Sequence, residues 1–187
     1  MKFIEQNIPG VYEIKPEPKI DNRGFFMRVY DDKIFKKHGL HRNWVHENHS
    51  LSVIKGTVRG IHFQYPPDCE TKLLRVITGE IFFVVIDLRK NSNTFGKWIS
   101  VVVSANKKNM LYIPRGCAPG MCTLTDYCNL VYKVDNYYAP NNEDVIKWND
   151  PDIGIKWPVK EPTILSERDS KGQSLKNFIK KHGALEV

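Results

Sequence analysis

At 187 residues and 41% hydrophobic composition, the chain can bury one full core, and none of its apolar runs reaches the ~20 residues of a membrane-spanning helix. A net charge of +7 raises nucleic acid as a partner, but no zinc finger, basic helix or aromatic RNA-binding pattern accompanies it; much of the excess lies in Lys107 and Lys108 and in Lys176, Lys180 and Lys181 near the end, and a cationic surface that attracts a small anionic ligand is enough to explain the rest. The four cysteines, Cys69, Cys117, Cys122 and Cys128, form no C-x-x-C pair, and the start lacks an apolar leader core, so reduced thiols in a cytoplasmic protein are expected.

In chain order, the turn Asp21-Asn22-Arg23-Gly24 leads into a predicted strand from Phe25 to Tyr30. Asp32 to His38 suits a short helix. Arg59 to Gln64 reads as a short strand, adjacent to another that begins at Lys72. Leu73–Ile77 and Ile81–Ile86 flank Thr78-Gly79, which predicts a tight hairpin. Trp98–Ser104, Leu111–Ile113 and Asn129–Val134 are further strands, with Pro114-Arg115-Gly116 stopping the second. The stretch from 140 to 162, rich in Pro, Asn, Asp and Trp, reads as an ordered loop over the barrel. Leu175, Phe178 and Ile179 predict a short amphipathic tail helix over 174–181. Regular short strands with Gly and Pro turns define a single all-β domain over 1–187, a sandwich or barrel with few helices. The unbroken apolar run Ile81–Ile86 requires burial on both faces, inside a double-sheet barrel or between subunits.

Arg59-Gly60-Ile61-His62-Phe63-Gln64 carries the chemistry. Strand alternation puts Arg59 and His62 on opposite faces, unless Gly60 kinks or bulges the chain and turns both to one side. An arginine for a phosphate, an imidazole for a proton and the amine of Lys72 together suit an anionic, proton-bearing substrate.

These residues also sit within a larger pattern. The Asp21–Phe26 turn, Asn48-His49-Ser50, Arg59–Gln64, Ile113-Pro114-x-Gly116, Tyr132-Lys133, Asp135-x-Tyr137-Tyr138-Ala139-Pro140, Trp148-Asn149-Asp150-Pro151 and Leu165-Ser166-Glu167-x-Asp169 occur in one order. From Asp21 to Asp169 the chain resembles the dTDP-4-dehydrorhamnose 3,5-epimerase family. The resemblance implies a double-stranded β-helix (a cupin-like jelly-roll barrel), a homodimer, no metal and no other cofactor, and a 4-keto nucleotide-sugar substrate. By the same resemblance, His62 corresponds to the general base, Asp169 to the carboxylate that orients it, Lys72 to the cation near the keto oxygen and Tyr132 to the opposed acid. Arg59 corresponds to a phosphate contact; Arg23 and Phe26 would reach the nucleotide from the partner subunit. Arg28, His46, Asn48, Gln64 and Tyr138 complete the expected substrate-binding set. Gln64 stands where a metal-binding cupin places a second histidine, which argues against a metal.

The chain departs from the family at the substrate-reading positions. Arg28 replaces a glutamate, His46 and Glu70 replace glutamines, and Pro119 replaces the histidine of an Ala-His-Gly segment. The expectation is therefore a different nucleotide sugar: a GDP-linked 6-deoxy sugar or heptose for capsule or lipopolysaccharide, inverted at carbon 3, carbon 5 or both. The alternatives are dTDP-4-dehydrorhamnose 3,5-epimerase itself, a related keto-sugar isomerase, and a non-catalytic sugar-binding cupin.

Overall fold

The computed structural model describes residues 1–187. Its elements in chain order are β1 (Lys2–Glu5), β2 (Tyr12–Lys15), β3 (Lys19–Asp21), β4 (Gly24–Phe26), α1 (Asp32–Lys37), β5 (His46–Ser52), β6 (Val58–Arg59), β7 (His62–Gln64), β8 (Lys72–Thr78), β9 (Glu80–Asp87), β10 (Trp98–Ser104), β11 (Met110–Ile113), β12 (Cys117–Thr123), β13 (Cys128–Val134), β14 (Glu143–Val145), α2 (Glu167–Ser170) and α3 (Leu175–His182). A six-stranded sheet in the order β1-β2-β11-β8-β13-β5 and a four-stranded sheet in the order β10-β9-β12-β6 form the two walls of a double-stranded β-helix. Two small pairs, β7 with β14 and β3 with β4, sit outside these walls.

Alternation along β9 shows why its run is apolar throughout. Ile81, Phe83 and Val85 pack with Leu74, Leu111 and Leu130 in the core between the walls. Val84 and Ile86 belong to a second core with Leu175 and Phe178 of the tail. Each such side chain stabilises the fold by about 1.5–3 kcal/mol on burial. A third cluster sets Phe35 of α1 against Leu73, Met110 and Tyr112 of the six-stranded sheet.

The tail helix forms as its pattern predicts. Ser174 caps it by accepting the Asn177 N–H at 3.2 Å, and Lys180, Lys181 and His182 complement the carbonyl end. Fully buried Phe178 meets Phe63 edge-on at 5.4 Å between ring centroids. Phe63 thus anchors β7 to the tail, and alternation turns its neighbour His62 the other way.

Four expectations need correction. Thr78-Gly79 is a corner and not a hairpin: β8 pairs with β11 and β13, whereas β9 pairs with β10 and β12. Gly79 has φ +82°, and a Cβ there would fall 2.6 Å from both Cys128 Sγ and Thr125 Oγ1. Crossing between walls at this point lets β9 be largely buried on both faces, while β8 buries Leu73, Leu74 and Val76 and leaves Ile77 exposed. The strand from Phe25 ends at Phe26, because Asp31 caps α1 by accepting the Ile34 N–H at 3.2 Å and the chain must turn to reach it. The strands of Arg59–Gln64 and Lys72 are not neighbours; β6 and β7 pair with β12 and β14, and β8 belongs to the other wall. The loop from 140 to 162 contains the short strand β14, held to β7.

Candidate active site

Gly60 does break the strand. It has φ +104°, and a Cβ there would lie 2.9 Å from Gly120 Cα and from the Pro119 carbonyl oxygen, so no other residue fits without displacing β12. β6 ends at Arg59 and β7 begins at His62, and across this break both side chains line one cavity.

That cavity, of about 210 Å³, lies between the walls and also includes Lys72 from β8, Tyr132 from β13 and Pro119 from β12. A wider outer space of about 620 Å³ shares His62, Lys72 and Tyr132 and adds His46, Asn48 and Tyr138. The two form one cleft, deep and partly apolar inside, polar at the mouth.

His62 Nε2 meets Asp169 Oδ1 at 2.6 Å, and its other ring nitrogen has no protein partner. Asp169 sits in α2, a four-residue helix that no sequence pattern announces. It is 3% exposed, because Ser166 caps α2 by accepting the Asp169 N–H at 3.0 Å and turns the carboxylate inward. Its second oxygen accepts the Gly60 N–H at 3.1 Å. Burial alone would raise this carboxyl; the His62 hydrogen bond and charge, the Gly60 N–H and the Ser166 cap together hold it below the ordinary carboxylate value.

Tyr132 is half-buried, and its phenol is pushed up first by burial, then by the charges of Glu70 and Glu143, against the opposing effect of Arg59. It therefore stays protonated at neutral pH. Lys72 Nζ lies 5.7 Å from the Tyr132 ring centre and pairs with Glu70. Arg59 is oriented by Ser52 Oγ at 3.1 Å and the Leu51 carbonyl at 3.2 Å. The cleft thus sets a proton-accepting imidazole, a neutral phenol and two cations around a single space.

The other expected residues divide into three groups. Asn48, which stands opposite Tyr132 in the β5–β13 register, lines the mouth with His46 and Tyr138. Gln64 does not line the cleft. It is 3% exposed; its Nε2 donates to the Asp68 and Tyr137 carbonyls and its Oε1 accepts the Ala139 N–H, so it pins the loop that carries Tyr138. Arg23, Phe26 and Arg28 also lie away from their own chain's cleft. Arg23 is exposed and pairs with Asp21, Phe26 stands open on the β3–β4 hairpin, and Arg28 pairs with Asp31 at 3.4 Å.

Glu143 and Arg168 escaped the sequence reading. Glu143 lines the mouth, accepts from Tyr138 Oη at 3.0 Å and pairs with Arg168 at 2.6 Å. Arg168 directly precedes Asp169, which was the available signal. Pro119 sits where β12 is flanked by β9 but not by β6, an edge-like position that proline tolerates. No three His, Cys, Asp or Glu side chains converge as a metal-ligand set.

Fold and cleft together define a cupin-like barrel with an acid–base centre suited to isomerisation. Residues 5–177 match the dTDP-4-dehydrorhamnose 3,5-epimerase family. The dTDP-4-dehydrorhamnose 3,5-epimerase of Shigella flexneri is 44% identical over 174 residues, 92% of this chain and 95% of that protein. A Neisseria gonorrhoeae relative with the same description is also 44% identical, but this chain spans only 52% of its length. The crystal structure of the Legionella pneumophila dTDP-6-deoxy-D-glucose-3,5-epimerase in complex with dTDP-4-keto-L-rhamnose superposes with a TM-score of 0.92 at 34% identity, covering 100% of this chain and 98% of that one. The chain belongs to the dTDP-4-dehydrorhamnose 3,5-epimerase family and is an isomerase.

Proposed function

We propose that this protein inverts carbons 3 and 5 of a dTDP-linked 4-keto-6-deoxy sugar. The observation that carries the reading is the convergence of the His62–Asp169 pair, Lys72 and Tyr132 on one cleft. A ketone at carbon 4 acidifies the hydrogens on carbons 3 and 5, since both carbanions delocalise onto the same oxygen. His62 removes a proton from one face, and Asp169 stabilises the imidazolium that forms. Lys72 faces the enolate oxygen, where a fixed cation in a partly dry cleft counts most. Tyr132 returns a proton to the opposite face, which inverts the centre. After each inversion His62 holds one extra proton and Tyr132 lacks one, and exchange with water resets both. Only protons move, so the balance calls for no oxidant or reductant.

Arg59 would hold the diphosphate, with Asn48, His46 and Tyr138 at the mouth. The exposed β3–β4 hairpin would bring Arg23 and Phe26 into the cleft of a second subunit, making the working form a homodimer. Four unpaired buried cysteines suit a cytoplasmic location. The product would supply a surface polysaccharide such as capsule or lipopolysaccharide.

For the nucleotide, the relatives favour thymidine, and the guanosine and heptose expectation finds no support among them. That expectation rested on the departures at Arg28, His46, Glu70 and Pro119; of these, Arg28 pairs with Asp31 at 3.4 Å, away from its own chain's cleft. Calorimetric titration of dTDP and GDP tests the choice: tighter binding of dTDP is expected, and a preference for GDP would reinstate guanosine.

A further inference from the structure

Glu70 has no part in the proton transfers, yet it lines the mouth of the cleft beside Lys72 and Tyr132, with its side chain 14% exposed. Its Oε1 accepts from Lys72 Nζ, and its Oε2 has no protein partner. Nearby carboxylates are likewise paired, Glu143 with Arg168, Glu47 with Lys133 and Asp169 with His62, but of the three glutamates only Glu70 is tied to the cation proposed to face the keto oxygen. The pair with Lys72 balances its charge but draws on the cation that a developing enolate needs. When a sugar fills the cleft and displaces water, an unpaired carboxylate oxygen becomes costlier still. A ligand that brings its own donor to Oε2 removes that cost.

Lys72 and Glu70 present a donor and an acceptor side by side, and the complementary group is a ketone next to a hydroxyl. In a 4-keto-6-deoxyhexose only one hydroxyl adjoins the ketone, that on carbon 3, because carbon 5 carries the methyl group and the ring oxygen. Building on the 4-keto-sugar reading, we propose that Glu70 is a specificity-determining residue that accepts a hydrogen bond from the carbon 3 hydroxyl while Lys72 donates to the carbon 4 ketone. The chain then selects α-hydroxy ketones.

The test follows deuterium entry at carbon 5, a position present whether or not carbon 3 bears oxygen. The substrates are dTDP-4-keto-6-deoxyglucose and its 3-deoxy analogue, with wild type, Glu70→Ala and Glu70→Gln. Wild type is expected to favour the hydroxylated sugar by about 10–100-fold in kcat/KM, the loss from leaving a charged acceptor unpaired. Glu70→Ala brings that ratio close to one, and Glu70→Gln, which retains a neutral acceptor, gives an intermediate ratio. Equal losses on both sugars in Glu70→Ala would overturn the proposal, reducing Glu70 to a tether for Lys72; an unchanged ratio would overturn it as well. If wild type exchanges carbon 5 of neither sugar, the 4-keto-sugar reading falls and takes the Glu70 role with it.

Discussion

Asp169 uses its two oxygens on the two parts of one device: the imidazole of His62 and the backbone N–H of Gly60, which fixes where that imidazole begins. An asparagine keeps an acceptor for one of them but cannot stabilise an imidazolium, so Asp169→Asn should cut turnover by about 10²-fold or more. The same substitution has a signature in stability. Because the folded carboxyl lies below its ordinary value, it contributes stability above about pH 4 that is lost as pH falls through the folded value. Acid unfolding of Asp169→Asn, followed by circular dichroism, should therefore show a shallower slope than wild type. At this scale His62, Arg59 and Lys72 were legible from their own short segments. The pairing of Asp169 with His62 was reached only through the family resemblance, since the two lie 107 residues apart and no local pattern connects them.

Short elements decide the precision of the site. α2 has four residues, too few to persist without tertiary support, and Ser166 holds its first turn. Ser166→Ala should cost about 1 kcal/mol, read as a lower urea midpoint, and should lower kcat by more than KM changes because the Asp169 carboxylate loses its fixed direction. An unchanged kcat would show that the cap serves stability alone. Element legibility followed side-chain periodicity. The tail helix and β9 were evident because their apolar residues repeat at 3.6 or run unbroken. β5 and β12 were not, because His46–Ser52 is largely polar and Cys117–Thr123 contains Pro119 and Gly120; pairing with neighbours, not local preference, makes them strands. The Thr78-Gly79 corner resembles a hairpin in sequence for a related reason, since a tight glycine turn between two strands has one appearance in sequence and two outcomes in space.

As a whole the molecule is a barrel whose outer faces are covered by α1 and the C-terminal segment, with the cleft left open between the walls. The β3–β4 hairpin leaves Ile20, Phe25 and Phe26 exposed at 77%, 55% and 66%, as fits an arm that meets a second copy. If Arg23 serves the partner's cleft, mixing Arg23→Ala and His62→Ala chains under subunit exchange should recover activity that neither has alone, because one cleft of each mixed dimer is complete. Absence of recovery would confine Arg23 to its own chain. Composition and turns sufficed for the all-β class, and the ordered motifs for the family, but which sheet each strand joined depended on long-range pairing that no local window contains.

The most direct test of the acid–base account is NMR of dTDP-4-keto-6-deoxyglucose in deuterated buffer with wild type, His62→Ala and Tyr132→Phe. Wild type should introduce deuterium at carbons 3 and 5 with inversion. His62→Ala should slow exchange by about 10²–10⁴-fold, and Tyr132→Phe should lose inversion while retaining exchange on the His62 face. Full exchange and inversion by His62→Ala would contradict the account.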